Sequence, residues 1–151
     1  MLKEGNKAVY FELPDENGNK VNIGQFKGKK IVLYFYPKDD TPGCTKEACS
    51  FRDIYDQILE KGAVVIGISK DNEKSHTKFK QKYNLPFYLL SDTSGDVIEA
   101  YGAFGQKAMM GKSFMGIIRS TFIIGEDQTI IKVFPKVKPE EHAQEVLGFL
   151  N

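Results

Sequence analysis

The chain has 151 residues, with 21 Lys plus Arg against 20 Asp plus Glu and a formal charge of +1. At this length one domain spanning 1–151 is expected, because domains usually run to about 100 to 150 residues. With 41% hydrophobic residues the chain can fill a core, which excludes intrinsic disorder, and its balanced charge provides no field to steer it to nucleic acid or anionic lipid.

No apolar stretch reaches the roughly 18 residues of a membrane span, and the segment Met1 to Gly5 lacks the apolar run of a signal peptide. A cytoplasmic setting is therefore expected, with neither membrane nor nucleic acid as a partner. Two cysteines are too few for a disulfide-stapled secreted scaffold.

Val9, Phe11 and Leu13 alternate with polar residues, Asn17-Gly18 is a turn signal, and Val21 and Ile23 resume the alternation. This predicts an N-terminal β-hairpin. The continuous apolar run Ile31 to Tyr36 is too short for a helix and reads as a strand buried on both faces. From Cys44, apolar residues recur at helical spacing through Ala48, Phe51, Ile54, Tyr55, Ile58 and Leu59 until Gly62, which predicts one helix.

A second buried strand follows at Ala63 to Ile68, then a Lys-rich helix near 72–83, a strand near Phe87 to Leu90 and a short helix near Gly95 to Tyr101. Residues 102–116 show no clear period and read as a loop. Thr121 to Ile124 and Ile130 to Phe134 flank Gly125 to Gln128 as a second hairpin, and Pro139 suits the first turn of a closing helix. Together these give an α/β fold, a central mixed β-sheet flanked by helices with a hairpin at its N-terminus.

Chemistry concentrates between the first buried strand and its helix, where Pro37, Thr41, Pro42, Gly43, Cys44, Glu47 and Cys49 cluster. Strand C-terminal ends are where open α/β sheets bind ligands. Cys44 falls in the first helical turn, where outward-pointing N–H groups favour a thiolate; such positions lower a cysteine pKa from about 8.5 to roughly 3.5 to 7.5. Thr41 can offer a hydroxyl to that sulfur or to an incoming oxygen. The same residues also fit a plain helix start with Cys44 as a small buried apolar group.

Cys49 lies five residues further on, and in an intact helix the two Cα atoms stand roughly 8.6 Å apart, beyond the reach of a disulfide unless the helix unwinds. Absence of C-x-x-C disfavours a thioredoxin-type disulfide oxidoreductase. Cys44, Cys49, His76 and His142 follow no zinc spacing, and both histidines sit in polar stretches as surface residues do. No metal or other cofactor is expected. Arg119, directly before the apolar strand Ser120 to Ile124, is either a cation for the thiolate or an edge arginine paired with a surface carboxylate.

These residues resemble the peroxiredoxins, and within them the peroxiredoxin Q group, also called bacterioferritin comigratory proteins. A Pro-x3-Thr-x2-Cys signature is matched at Pro37, Thr41 and Cys44, and the group's Cys-x4-Cys spacing at Cys44 and Cys49. The segments Tyr34 to Lys38 and Gly116 to Phe122 extend the likeness, while Phe104 stands where tryptophan is common in the group.

The resemblance implies a thioredoxin-like fold and a thiol peroxidase acting on hydrogen peroxide and organic hydroperoxides. Cys44 would be the peroxidatic cysteine, Thr41 and Arg119 would orient and polarise the peroxide, Pro37 would shield the intermediate and Glu47 would orient the arginine. Cys49 would resolve the sulfenic acid to an intramolecular disulfide, recycled by thioredoxin or a similar dithiol reductant, and a monomer is expected. The alternative is a non-catalytic thiol redox sensor or binding module using the Cys44 to Cys49 switch.

Overall fold

Strand β3 (Lys30–Phe35) runs through the middle of the molecule, and its side chains divide by the two-residue period of a strand. Val32, Tyr34 and the following Tyr36 enter one apolar cluster, while Ile31, Leu33 and Phe35 enter another on the opposite face. A computed structural model describes residues 1–151, except for the side chain of Met109.

Three short elements precede β3. Strands β1 (Glu12–Pro14) and β2 (Lys20–Asn22) pair antiparallel, as the hairpin pattern predicts. The connection is a five-residue loop rather than a two-residue Asn-Gly turn. The Asp15 side chain accepts from the N–H groups of Asn17 and Asn19, each at 2.9 Å, and so closes it. Ile23 opens a 3-10 turn to Phe26 instead of continuing the strand, because Asn22 and Gln25 cap that turn reciprocally.

After β3 come α1 (Pro42–Asp53), α2 (Tyr55–Glu60), β4 (Ala63–Ser69), α3 (Glu73–Tyr83), β5 (Tyr88–Ser91) and α4 (Asp96–Ala100). The single helix expected from Cys44 to Leu59 is broken at Ile54, whose φ of −118° and ψ of 13° leave the helical region. The apolar stripe continues across the break, so periodicity alone does not mark it.

Next come β6 (Phe104–Met109), β7 (Lys112–Ile117), β8 (Ser120–Ile124), β9 (Ile130–Phe134) and α5 (His142–Phe149). The expectation of a loop over 102–116 is overturned, since β6 and β7 form a two-stranded antiparallel ribbon. Met110 and Gly111 both have positive φ, 53° and 80°, the conformation of a tight two-residue hairpin turn. Lys112 to Met115 are exposed, so no buried face imposes an alternation that the sequence could reveal. Helix α5 starts at His142, not at Pro139.

The main sheet has the order β5-β4-β3-β8-β9. β3, β4 and β5 are parallel and β8 and β9 antiparallel to their neighbours, giving the mixed sheet expected. Phe51, Ile58, Phe79 and Val146 bring α1, α2, α3 and α5 onto one face. Ile98 and Phe26 cover the other face together with residues of the N-terminal hairpin. The antiparallel pairing of β8 with β3 thus places the C-terminal end of β3, the start of α1 and the start of β8 side by side.

Candidate active site

Six residues join β3 to α1, and Thr41 is the N-cap of α1 with Pro42 at its first position. Proline suits that position because its missing N–H would have had no intrahelical partner. Gly43 and Cys44 follow, so their N–H groups belong to the unpaired set at a helix start, and Cys44 is only 1% exposed.

Arg119 arrives from the short link between β7 and β8. Its Nη1 donates to Glu47 Oε1 at 2.8 Å and its Nη2 to Cys44 Sγ at 3.4 Å. Of its two sequence readings, the surface ion pair is overturned, since Glu47 is fully buried one turn along α1. Burial alone would lower the Arg119 pKa, but Glu47 and Cys44 outweigh it and the value is raised. Burial raises Glu47 to about 7 against the opposing pull of Arg119.

Gly43 is a residue whose part the sequence did not reveal. A Cβ there would stand 3.0 Å from Arg119 Nη2, so the missing side chain is what lets the guanidinium reach the helix start. Tyr34 lies beneath the pair, its pKa raised by burial first and then by the Glu47 and Cys44 charges. Tyr34 Oη and Glu47 Oε2 are buried with no hydrogen-bond partner among the described residues.

Thr41 is close in sequence but differently engaged, because its Oγ1 donates to Lys38 O at 2.8 Å. Pro37 is half-buried at the end of β3. Cys49 lies in the same unbroken α1 as Cys44, both cysteines are free, and Cys49 is partly exposed. A cleft opens beside Arg119, lined by Lys107, Ala108, Ile118, Pro135 and Val137. Lys107 Nζ donates to Ile117 O at 2.7 Å.

The surface placement expected for the histidines is overturned. His142 is 1% exposed and bonds Thr121 Oγ1 at 2.7 Å and Glu145 Oε1 at 2.9 Å. Burial lowers its pKa, with Glu145 opposing. His76 is fully buried, and with Asp39 and Asp71 it brings three atoms of metal-ligand type within 4.8 Å of one another. These atoms are engaged with each other and with Ser69 and Ser75. In both cases polar sequence neighbours hide a ring that points inward.

Residues 5–133 match the AhpC/TSA family. The chain belongs to that family. It is 54% identical over 149 residues to a putative peroxiredoxin Bcp of Coxiella burnetii, covering 99% of each chain. With peroxiredoxin Bcp of Bacillus subtilis it shares 49% identity over 150 residues, 99% of this chain and 96% of that one.

Among solved structures, a cysteine-to-serine mutant of PrxQ from Xylella fastidiosa superposes with a TM-score of 0.93 at 32% identity, covering 99% of this chain and 96% of the other. The bacterioferritin comigratory protein of Xanthomonas campestris, described for its alkyl peroxide reduction activity, gives 0.87 at 35% identity over 93% and 89% of the two chains. The peroxiredoxin fold, thioredoxin-like in its sheet and helices, is thereby shown, and with it the class of enzyme: a thiol-dependent peroxidase.

Proposed function

We propose that Cys44 is the peroxidatic cysteine and that Arg119, bridging Cys44 and Glu47, is the group that makes it one. The supporting observation is the pair of contacts from one guanidinium to the buried sulfur and to a buried carboxylate. The Cys44 thiolate attacks one peroxide oxygen in line with the O–O bond. An S–O bond forms, the O–O bond breaks, and the second oxygen leaves as alkoxide or hydroxide and takes up a proton.

Charge on that leaving oxygen is met by donors already fixed in place, Arg119 and the N–H groups at the start of α1. Thr41 would join them by exchanging its bond to Lys38 O for one to the peroxide. Pro37 shields the sulfenic acid from water, and Glu47 orients Arg119. The cleft of Ala108, Ile118, Pro135 and Val137 beside Arg119 offers apolar contact to the carbon part of an organic hydroperoxide.

Cys49 then attacks the sulfenic sulfur, forming the S–S bond and releasing hydroxide, which leaves as water. Two electrons from thioredoxin or a similar dithiol restore both thiols. Free cysteines and dithiol recycling suit a reducing cytoplasmic setting. No helix is long and apolar enough to cross a membrane among the described residues. We read residues 1–151 as one domain, because both apolar clusters share the same central strands, and propose that it acts as a monomer.

Intact-mass measurement after one equivalent of peroxide tests the assignment. The expected result is a disulfide in the unaltered chain, reversed by a thioredoxin system, and no oxidation in Cys44→Ser. Peroxide turnover by Cys44→Ser would refute it. Stoichiometric oxidation without turnover on excess dithiothreitol would favour the sensor reading.

A further inference from the structure

The loop that carries the reacting end of α1 is fastened from a side that the mechanism does not use. Asp39, in the middle of that loop, is 7% exposed, and three side chains converge on its carboxylate. Tyr36 Oη reaches Oδ1 at 2.6 Å, and Ser75 Oγ and His76 Nδ1 each reach Oδ2 at 2.7 Å. The Asp39 N–H is held in turn by Asp71 Oδ2 at 2.8 Å, an oxygen that also accepts from Ser69 Oγ at 2.7 Å.

His76 is the keystone of this cluster. Its Nε2 faces Leu90 O of β5 at 3.1 Å. A carbonyl can only accept, so Nε2 carries a hydrogen, and the contact between Nδ1 and Oδ2 holds a proton between ring and carboxylate. The ring therefore spans from the sheet to the loop with both ends bonded.

Asp40 continues the attachment. It adopts a left-handed φ of 58° and accepts from Lys82 Nζ and Tyr83 Oη of α3, each at 2.9 Å. Thr41, the cap of α1, comes next in the chain. Apart from the Thr41 to Lys38 and Tyr36 to Asp39 bonds, the side-chain bonds holding the loop between Tyr36 and α1 run to α3 and to Asp71, just past β4.

We infer that Asp39 and His76 form a buried lock that fixes the loop and hence the position of Cys44, making His76 on α3 a positioning residue for peroxide reduction. The inference rests on the reading of Cys44 as the reacting thiol. Misplacing a reacting atom by about 1 Å can cost on the order of 100-fold in rate, and Cys44 must stay aligned with Arg119 across a 3.4 Å contact.

The test is a double-mutant cycle with Asp39→Asn and His76→Gln. The readouts are the rate of Cys44 oxidation by hydrogen peroxide, the alkylation rate of Cys49, and thermal unfolding. Each single substitution should slow Cys44 oxidation about tenfold or more, and the double variant should be no slower than the slower single one, as expected of residues acting as a unit. Cys49 alkylation should stay unchanged, because α1 itself remains folded; general destabilisation would speed it.

Oxidation of Cys44 within twofold of the unaltered chain, additive losses, or losses that track Cys49 exposure would each overturn the lock. If a single variant does not unfold cooperatively, Ser75→Ala removes one donor from the same carboxylate. It should slow Cys44 oxidation about threefold, and an unchanged rate would also overturn the inference. Failure of the unaltered chain to oxidise at Cys44 would overturn the reading of the site instead.

Discussion

Arg119 Nη2 stands 3.4 Å from Cys44 Sγ although the two residues are 75 apart in sequence. The contact exists because β8 pairs with β3, with Phe35 opposite Ser120. The residue before β8 is thus delivered to the end of β3, where α1 begins. Sheet register places the cation, and a shift of one residue would turn Arg119 to the other face.

Replacing Arg119 with alanine should slow peroxide oxidation of Cys44 by about 100- to 1,000-fold, the usual loss for one preorganised donor. Arg119→Lys should recover only part of it, because an ammonium cannot bridge sulfur and carboxylate as the planar fork does. Stopped-flow oxidation reads both effects, and normal kinetics in Arg119→Ala would remove the arginine from the mechanism.

Gly43 separates stability from activity. At the second position of α1 an alanine should be tolerated or stabilising by up to about 1 kcal/mol, since glycine is a poor helix former. Its Cβ would nevertheless meet Arg119 Nη2 at 3.0 Å and push the guanidinium off the sulfur. Gly43→Ala should therefore keep its melting temperature and lose several-fold or more in peroxide turnover. A variant as active as the parent would show that Arg119 has room to spare.

Glu47 should make stability pH-dependent. Its pKa rises from 4.5 unfolded to about 7 in the fold, so the folded state binds the proton more tightly. The stability this contributes is full below about pH 4.5 and is lost as pH rises through about 7. At 1.36 kcal/mol for each tenfold change in proton affinity, the loss is on the order of 3 kcal/mol. Denaturant unfolding at pH 5 and pH 8 should show Glu47→Gln gaining on the parent at the higher pH. Parallel profiles would mean the carboxylate is not buried as described.

Much of this site was readable before the fold was known. The buried runs at 31–36 and 63–68 have no competing interpretation, and the Pro, Thr and Cys spacing follows from the strand-to-helix turn they occupy. Other features depend on distant partners. His76 and His142 look like surface residues because their neighbours in sequence are polar, yet each ring is buried against β-strand atoms, Leu90 O and Thr121 Oγ1. The β6–β7 ribbon escaped for the opposite reason, since Lys112 to Met115 are exposed and no core imprints a period on them. Gly43 fits a plain helix start in the sequence, and its part shows only with Arg119 beside it.

Cys49→Ser should react once with peroxide at the normal rate, because Cys49 enters only after the O–O bond is broken. The sulfenic acid should then persist and pass to the sulfinic stage with further peroxide. Turnover coupled to thioredoxin should fall sharply, and mass spectrometry should find two added oxygens on Cys44. Unimpaired cycling would place the resolving thiol on another molecule.

Oxidation should also change the fold locally. Cys44 and Cys49 lie within the single helix Pro42–Asp53, roughly 8.6 Å apart by helical geometry, whereas a disulfide needs Cα atoms within about 7 Å. Bonds such as Thr45 N–H to Thr41 O, 2.8 Å, are therefore expected to break when the disulfide forms. Unwinding would draw Cys44 away from Arg119 and loosen Phe51 from its contacts with Tyr34 and His142. Buried on both faces, β3 has no reason to follow. Amide exchange on the reduced and disulfide forms should thus accelerate over residues 44–52 and stay slow over 31–36. Equal protection of 44–52 in the two forms would mean that the disulfide closes without unwinding α1, and the coupling between redox state and local order would have to be given up.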